Sequence, residues 1–128
     1  MKPLDTVSVL VPSKPEYVSV VRLTASGIAS RMGFDIDDIE DIKVSISEVI
    51  NRMIDKRISF DGIKIDFHLY SDLIRIDFRL SGSSPRDIFE SEEGNFALEI
   101  IRSLMDEVNL NWHDGASLSM IKKLERAV

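Results

Sequence analysis

The stretch IKIDFHLYSDLIRIDFRL, Ile63 to Leu80, decides the architecture. Its period is two. Ile63, Ile65, Phe67 and Leu69 alternate with Lys64, Asp66, His68 and Tyr70. After Ser71-Asp72 the alternation resumes, with Ile74, Ile76, Phe78 and Leu80 set against Arg75, Asp77 and Arg79. Side chains on a strand point alternately to opposite faces, so this is a β-hairpin with one apolar and one polar face. The apolar face needs a cover, and the flanking segments have the period to supply it.

Upstream, Thr6 to Val11 is a short β-type run stopped by Pro12. Ser13 and Glu16 have capping-box spacing, and Pro15 falls in a first helical turn, where its missing N–H costs little. An apolar stripe follows at Tyr17, Val20, Val21, Thr24, Ile28 and Met32, and Gly33 is placed to stop the helix. A second helix begins near Asp35, with Asp37 and Asp38 at its positive end. Its stripe is Ile36, Ile39, Ile42, Ile46, Val49, Ile50 and Met53. The pattern runs to about Ile58, and Asp61-Gly62 turns the chain out of it. Downstream, SGSSPRD (81–87) is a loop. A third helix spans about Phe96 to Met105, with Ile100, Ile101, Leu104 and Met105 inward. Val108 to Trp112 and Ser117 to Lys123 are two last strands joined at Asp114-Gly115. The order β-α-α-β-β-α-β-β predicts an α+β two-layer sandwich. Three helices would lie on one face of a mixed, mostly antiparallel sheet, in a single domain over residues 1–128.

Composition narrows the function. The chain has 128 residues, no cysteine and a net charge of −6 from 22 acids and 16 bases. Disulfides, thiolate chemistry and cysteine-held zinc are excluded. No basic cluster advertises nucleic acid, and no apolar run approaches the length of a membrane span. MKPLDTVSV lacks the apolar stretch of a secretory signal, which suits the cytoplasm. His68 and His113 stand alone in strand-like segments, without a second metal ligand nearby.

Three phrases carry a family resemblance. PSKPEYVSVVRLTASGIASRMGF (12–34) followed by DDIEDIKVSISE (37–48), LMDEV (104–108) and HDGASLSMIK (113–122) occur in order and at the right spacing. Over about Val7 to Leu124 the chain resembles the anti-sigma factor serine kinases of bacterial partner-switching systems. These belong to the histidine-kinase-like ATPase superfamily (the Bergerat fold). The resemblance implies a homodimer whose partners are a sigma factor and an anti-sigma antagonist.

It also implies a nucleotide site, and here the chain departs from the pattern. Glu48 stands where the family has its general base. Four residues on, where an Asn holds magnesium, stands Arg52, and Asn51 is one residue early, about 100° away around a helix. The adenine-reading Asp-x-Gly-x-Gly signature aligns with Leu80, Gly82 and Ser84, leaving one glycine. The Gly-Gly-x-Gly turn over the phosphates reads Gly94, Asn95, Phe96, Ala97. Ser117 keeps a hydroxyl where the family has a threonine near the adenine, and the intervening lid is short. A guanidinium offers only donors and repels a cation. An acid four residues before a base predicts a surface pair between Glu48 and Arg52. Leu80 cannot bond an adenine. Asn95 and Ala97 crowd an anion, and Glu90, Glu92 and Glu93 oppose its charge.

The expectation is therefore an anti-sigma-factor-like, protein-binding module that has lost ATP binding and kinase activity and needs no cofactor. Glu48 would be a remnant base, Arg52, Gly82, Gly94 and Ser117 a remnant pocket, and no residue a metal ligand. The outward face of the first helix, Ser19, Arg22, Leu23 and Ser26 with Ser30, is the candidate partner surface. The alternative is an active serine/threonine kinase with a divergent site for ATP and magnesium, Glu48 still its base. Two further possibilities are a scaffold pairing with an intact paralogue, and Arg52 binding phosphates of an altered ligand without metal.

Overall fold

Residues 2–56, 62–79, 88–111 and 117–125 are described by a computed structural model. Five strands, β1 (Asp5–Val11), β2 (Ile63–Leu69), β3 (Leu73–Arg79), β4 (Glu107–Asn111) and β5 (Ser117–Lys123), form one sheet in the order β1-β2-β3-β5-β4. Every pairing is antiparallel, so the sheet is not mixed. Three helices, α1 (Val18–Met32), α2 (Ile36–Asp55) and α3 (Glu92–Leu104), complete the α+β fold.

The hairpin alternation sets the core. Ile63, Ile65, Phe67, Ile74, Ile76 and Phe78 are buried, joined by Leu118 and Met120 of β5. Ile42, Ile46, Val49, Ile50 and Met53 of α2 are buried in the same cluster. Burying one such side chain fully contributes about 1.5–3 kcal/mol, which is why α2 is held by packing. The polar partners form the opposite face. Asp66 and Asp77 sit directly opposite each other across β2 and β3, a repulsive placement. Each is held by a hydroxyl from its outer neighbour, Ser8 on Asp66 and Ser119 on Asp77. Asp77 also takes Arg75 at 3.2 Å and His68 Nε2 at 3.1 Å. His68 is thus part of a sheet-face network, while His113 lies outside the described residues.

Helix boundaries correct several expectations. The Ser13–Glu16 capping box does not form. A short 3-10 turn, Pro15–Tyr17, leads into α1, and its N-cap is Lys14 without a side-chain bond. The buried stripe of α1 is Val21, Ala25 and Ala29; Val20 is exposed and Thr24 and Ile28 only half-buried. Small residues on this stripe let α1 lie close to its neighbour, a packing signal that an index of apolar side chains underweights. Gly33 stops α1 as expected, at φ 102°, its N–H reaching the carbonyls of Ala29 and Ser30. Asp35 caps α2 through the Asp38 amide, but Ile36 is exposed, and the stripe begins to face inward only at Ile39. α2 closes at Asp55; Ile58 and Asp61 fall outside the described residues, as do 80–87 and the Asp114-Gly115 turn. α3 starts four residues earlier than Phe96, capped by Ser91. β1 pairs with β2 along one side, so only its outer edge is open.

Candidate functional site

The site builds from two helix ends. α2 carries Glu48 and Arg52 along its last turns, and α3 begins beside them after Ile88 and Phe89, both buried. α3 starts at Ser91 because its side-chain oxygen accepts the Gly94 amide at 2.9 Å, with Glu92 and Glu93 in the first turn. The capping signal Ser91-Glu92-Glu93-Gly94 was legible in the sequence. Weighing Glu92 and Glu93 only as charges opposing a phosphate passed over it.

Arg52 is where structure and sequence reading part. It is buried, 7% exposed, and it does not pair with Glu48. Its Nε donates to the Ile88 carbonyl at 3.2 Å and its Nη2 to Ser91 Oγ at 3.2 Å. Its Nη1 lies 3.2 Å from Asp55 and 3.7 Å from Glu93, both largely exposed carboxylates. Ser91 Oγ therefore accepts twice, from Gly94 N–H and from the guanidinium. Glu48 is half-buried and makes no ion pair among the described residues. The i,i+4 rule failed because the buried Ile88 carbonyl and the half-buried Ser91 hydroxyl, in the segment before α3, outcompeted a weak surface pair, worth about 0.2–0.5 kcal/mol.

The remaining candidates can be placed. Asn51 is exposed, on a different side of α2 from Arg52. Gly94 sits inside the first turn of α3, so tightly that an added Cβ would lie 2.7 Å from Phe89 Cα and 2.9 Å from the Ile88 carbonyl oxygen. Its lack of a side chain is thus required by the chain that precedes it. Ala97 is buried in the core, and Asn95 and Phe96 are exposed. Ser117 opens β5, half-buried, opposite Arg79. Leu80, Gly82 and Ser84 lie outside the described residues. On α1, Ser19 and Leu23 are exposed, Leu23 by 71%, and Arg22 and Ser26 are half-buried.

A magnesium nucleotide does not fit these residues as they stand. Position 52 presents a cation with no acceptor to offer a metal, its three nitrogens each engaged, and the Gly94 amide is satisfied by Ser91. Among the described residues no group of three or more His, Cys, Asp or Glu could hold a metal ion, and no helix is long and apolar enough to cross a membrane.

A second buried cation was missed in the sequence. Lys122 of β5 donates to the Leu104 carbonyl at 2.6 Å and to Asp41 at 3.3 Å, with Asp38 at 3.7 Å. It joins the start of α2 to the end of α3. Asp38 has its carboxyl pushed above the ordinary range by burial, which outweighs the opposing pull of Lys122; Asp35 and Asp41 add to the rise.

No protein-family model matches the chain. Among curated proteins it is 38% identical to the serine-protein kinase RsbW of Halalkalibacterium halodurans, covering 95% of this chain and 85% of that one. It is 31% identical to the RsbW of Bacillus subtilis, covering 94% and 86%. The first alignment runs over 140 residues while drawing on 95% of a 128-residue chain, so more than a dozen positions of the relative face a gap. Among solved structures, a Mycobacterium tuberculosis protein with RsbU and RsbW domains matches with a TM-score of 0.75 at 18% identity. The match covers 98% of this chain and 34% of that one, and it shows the fold alone.

Proposed function

The chain belongs to the family of the serine-protein kinases RsbW, anti-sigma-factor kinases with the histidine-kinase-like ATPase fold, and we propose that within it this protein regulates by binding other proteins, without using ATP. One observation carries the reading. The residue at the metal-holding position, Arg52, is buried, with its guanidinium bonded to Ile88 and Ser91. Magnesium would have to displace a cation that already satisfies the buried Ile88 carbonyl and the half-buried Ser91 hydroxyl.

The partners proposed are a sigma factor and an anti-sigma antagonist in the cytoplasm, with the Ser19, Arg22, Leu23 and Ser26 face of α1 as the docking surface. The protein would act as a homodimer, for which the open outer edge of β1, with Val7 and Leu10 exposed, is suited. The test is isothermal titration with magnesium-ATP. The expected result is no saturable heat in the micromolar range; micromolar binding refutes the reading.

A second reading is a working kinase. The relatives carry that name, and Glu48 is not engaged by Arg52, so its carboxylate is not withdrawn from service as a base. Phosphate transfer to a partner protein that disappears in Glu48→Ala would establish it.

A further inference from the structure

The misfit between Arg52 and a magnesium nucleotide points beyond a lost activity. We propose that Arg52 is a built-in replacement for the metal: a fixed cation that holds the turn before α3 against α2, so that this turn is ordered with no nucleotide present. The inference rests on the reading that the chain does not use magnesium-ATP.

The geometry is that of a cross-link. One side chain on α2 reaches the Ile88 carbonyl and Ser91 Oγ, which are 36 and 39 residues further along the chain. Both acceptors belong to the segment that leads into α3, and Ser91 is its cap. A positive charge beside a helix N-terminus is unfavourable by itself. Here it is offset by two directed hydrogen bonds and by Glu93 and Asp55 at the rim. A planar guanidinium can serve diverging acceptors at once, as a metal ion would, whereas an ammonium is a point charge. Gly94 completes the joint. Its Cα packs so closely on Ile88 and Phe89 that the segment and the first turn of α3 form one body. At the opposite ends of the two helices Lys122 performs a similar bridge, from Asp38 and Asp41 to Leu104. α2 and α3 are thereby tied at both ends by protein cations.

The test is hydrogen exchange by mass spectrometry on the full chain without nucleotide. The readout is the peptide that contains the Gly94 and Asn95 amides, both bonded to Ser91. In Arg52→Met, which keeps bulk and loses the donors, exchange there should rise at least about tenfold, the equivalent of 1.4 kcal/mol. A peptide from α1 should not change. Asp55→Asn, which touches only the exposed contact, should leave exchange as it is. Should Arg52→Met fail to fold, Arg52→Lys replaces it, with a rise of several-fold expected. Unchanged exchange in the Arg52 variants overturns the cross-link and leaves the proposed function standing. If magnesium-ATP added to the natural protein slows exchange in this peptide tenfold, both readings fall, because the turn then takes its order from nucleotide.

Discussion

The same substitution at two glycines should act in opposite directions. Gly27 lies in the middle of α1, and an added Cβ there meets nothing within 4 Å. Alanine in an open helical position gains about 0.5–1 kcal/mol over glycine, so Gly27→Ala should stabilise. Gly94 lies in the first turn of α3, where the same Cβ falls 2.7 Å from Phe89 Cα, 2.8 Å from Phe89 C and 2.9 Å from the Ile88 oxygen. These are backbone atoms and cannot swing aside. Overpacking of this kind costs about 1–3 kcal/mol. The movement needed would also carry the Ile88 carbonyl away from Arg52 Nε. Gly94→Ala should therefore destabilise by about 1–2 kcal/mol after its helix-propensity gain is subtracted. With an m-value of about 1–3 kcal/mol/M, the urea midpoints of the two variants should separate by roughly 1 M, read by far-UV circular dichroism. A glycine retained only to let a phosphate approach would behave like Gly27 in the free protein. A midpoint for Gly94→Ala at or above that of the natural chain refutes the packing argument.

Other expectations follow from the same contacts. Arg52→Asn alone should not create magnesium-ATP binding in calorimetry, because Ser91 still holds the Gly94 amide and Leu80 still offers adenine no bond. Lys122→Met should lower stability by about 1–3 kcal/mol in urea titration, since it leaves the Leu104 carbonyl without its donor. Asp38 is an acid whose folded pKa is raised, so its ionised form is penalised in the fold, and the penalty lifts as pH falls through the folded pKa toward the unfolded 3.8. The stability of Asp38→Asn relative to the natural protein should accordingly be greater near neutral pH than at about pH 4, as measured by paired denaturant titrations. Sedimentation should show a dimer at tens of micromolar and a monomer for Val7→Lys, because a charge on an open edge strand blocks strand addition; a monomeric natural protein removes the dimer.

How much the sequence disclosed depended on the range of the interaction. The hairpin was legible over Ile63–Phe78, since alternation there is a local consequence of pleat and burial. The Gly33 stop and the Asp35 start were legible for the same reason: each needs only its own turn. The stripe of α1 was displaced because Ala25 and Ala29 are buried for their smallness, which matters only once a second helix lies against them. Lys122 fell silent in a strand because its partners, Asp41 and Leu104, come from two helices 81 and 18 residues away.

Arg52 shows the limit most clearly, and what it implies. Judged by spacing, its partner is Glu48, and that pairing would disable base and metal position together. In the fold the two residues come apart. Arg52 turns to Ile88 and Ser91, and Glu48 is left half-buried without an ionic partner among the described residues. Under the proposed function, the Arg52 guanidinium and the capped turn behind it are what bar a nucleotide, with no need of a neutralised base. Arg52 is buried where its three nitrogens all find acceptors. That placement is specific, since a buried guanidinium is stabilising only when its donors are satisfied. On the proposed function, the residue that stands in for the metal ligand also braces the turn before α3, which is why Arg52, and not Glu48, is the residue on which the kinase and the regulator readings divide.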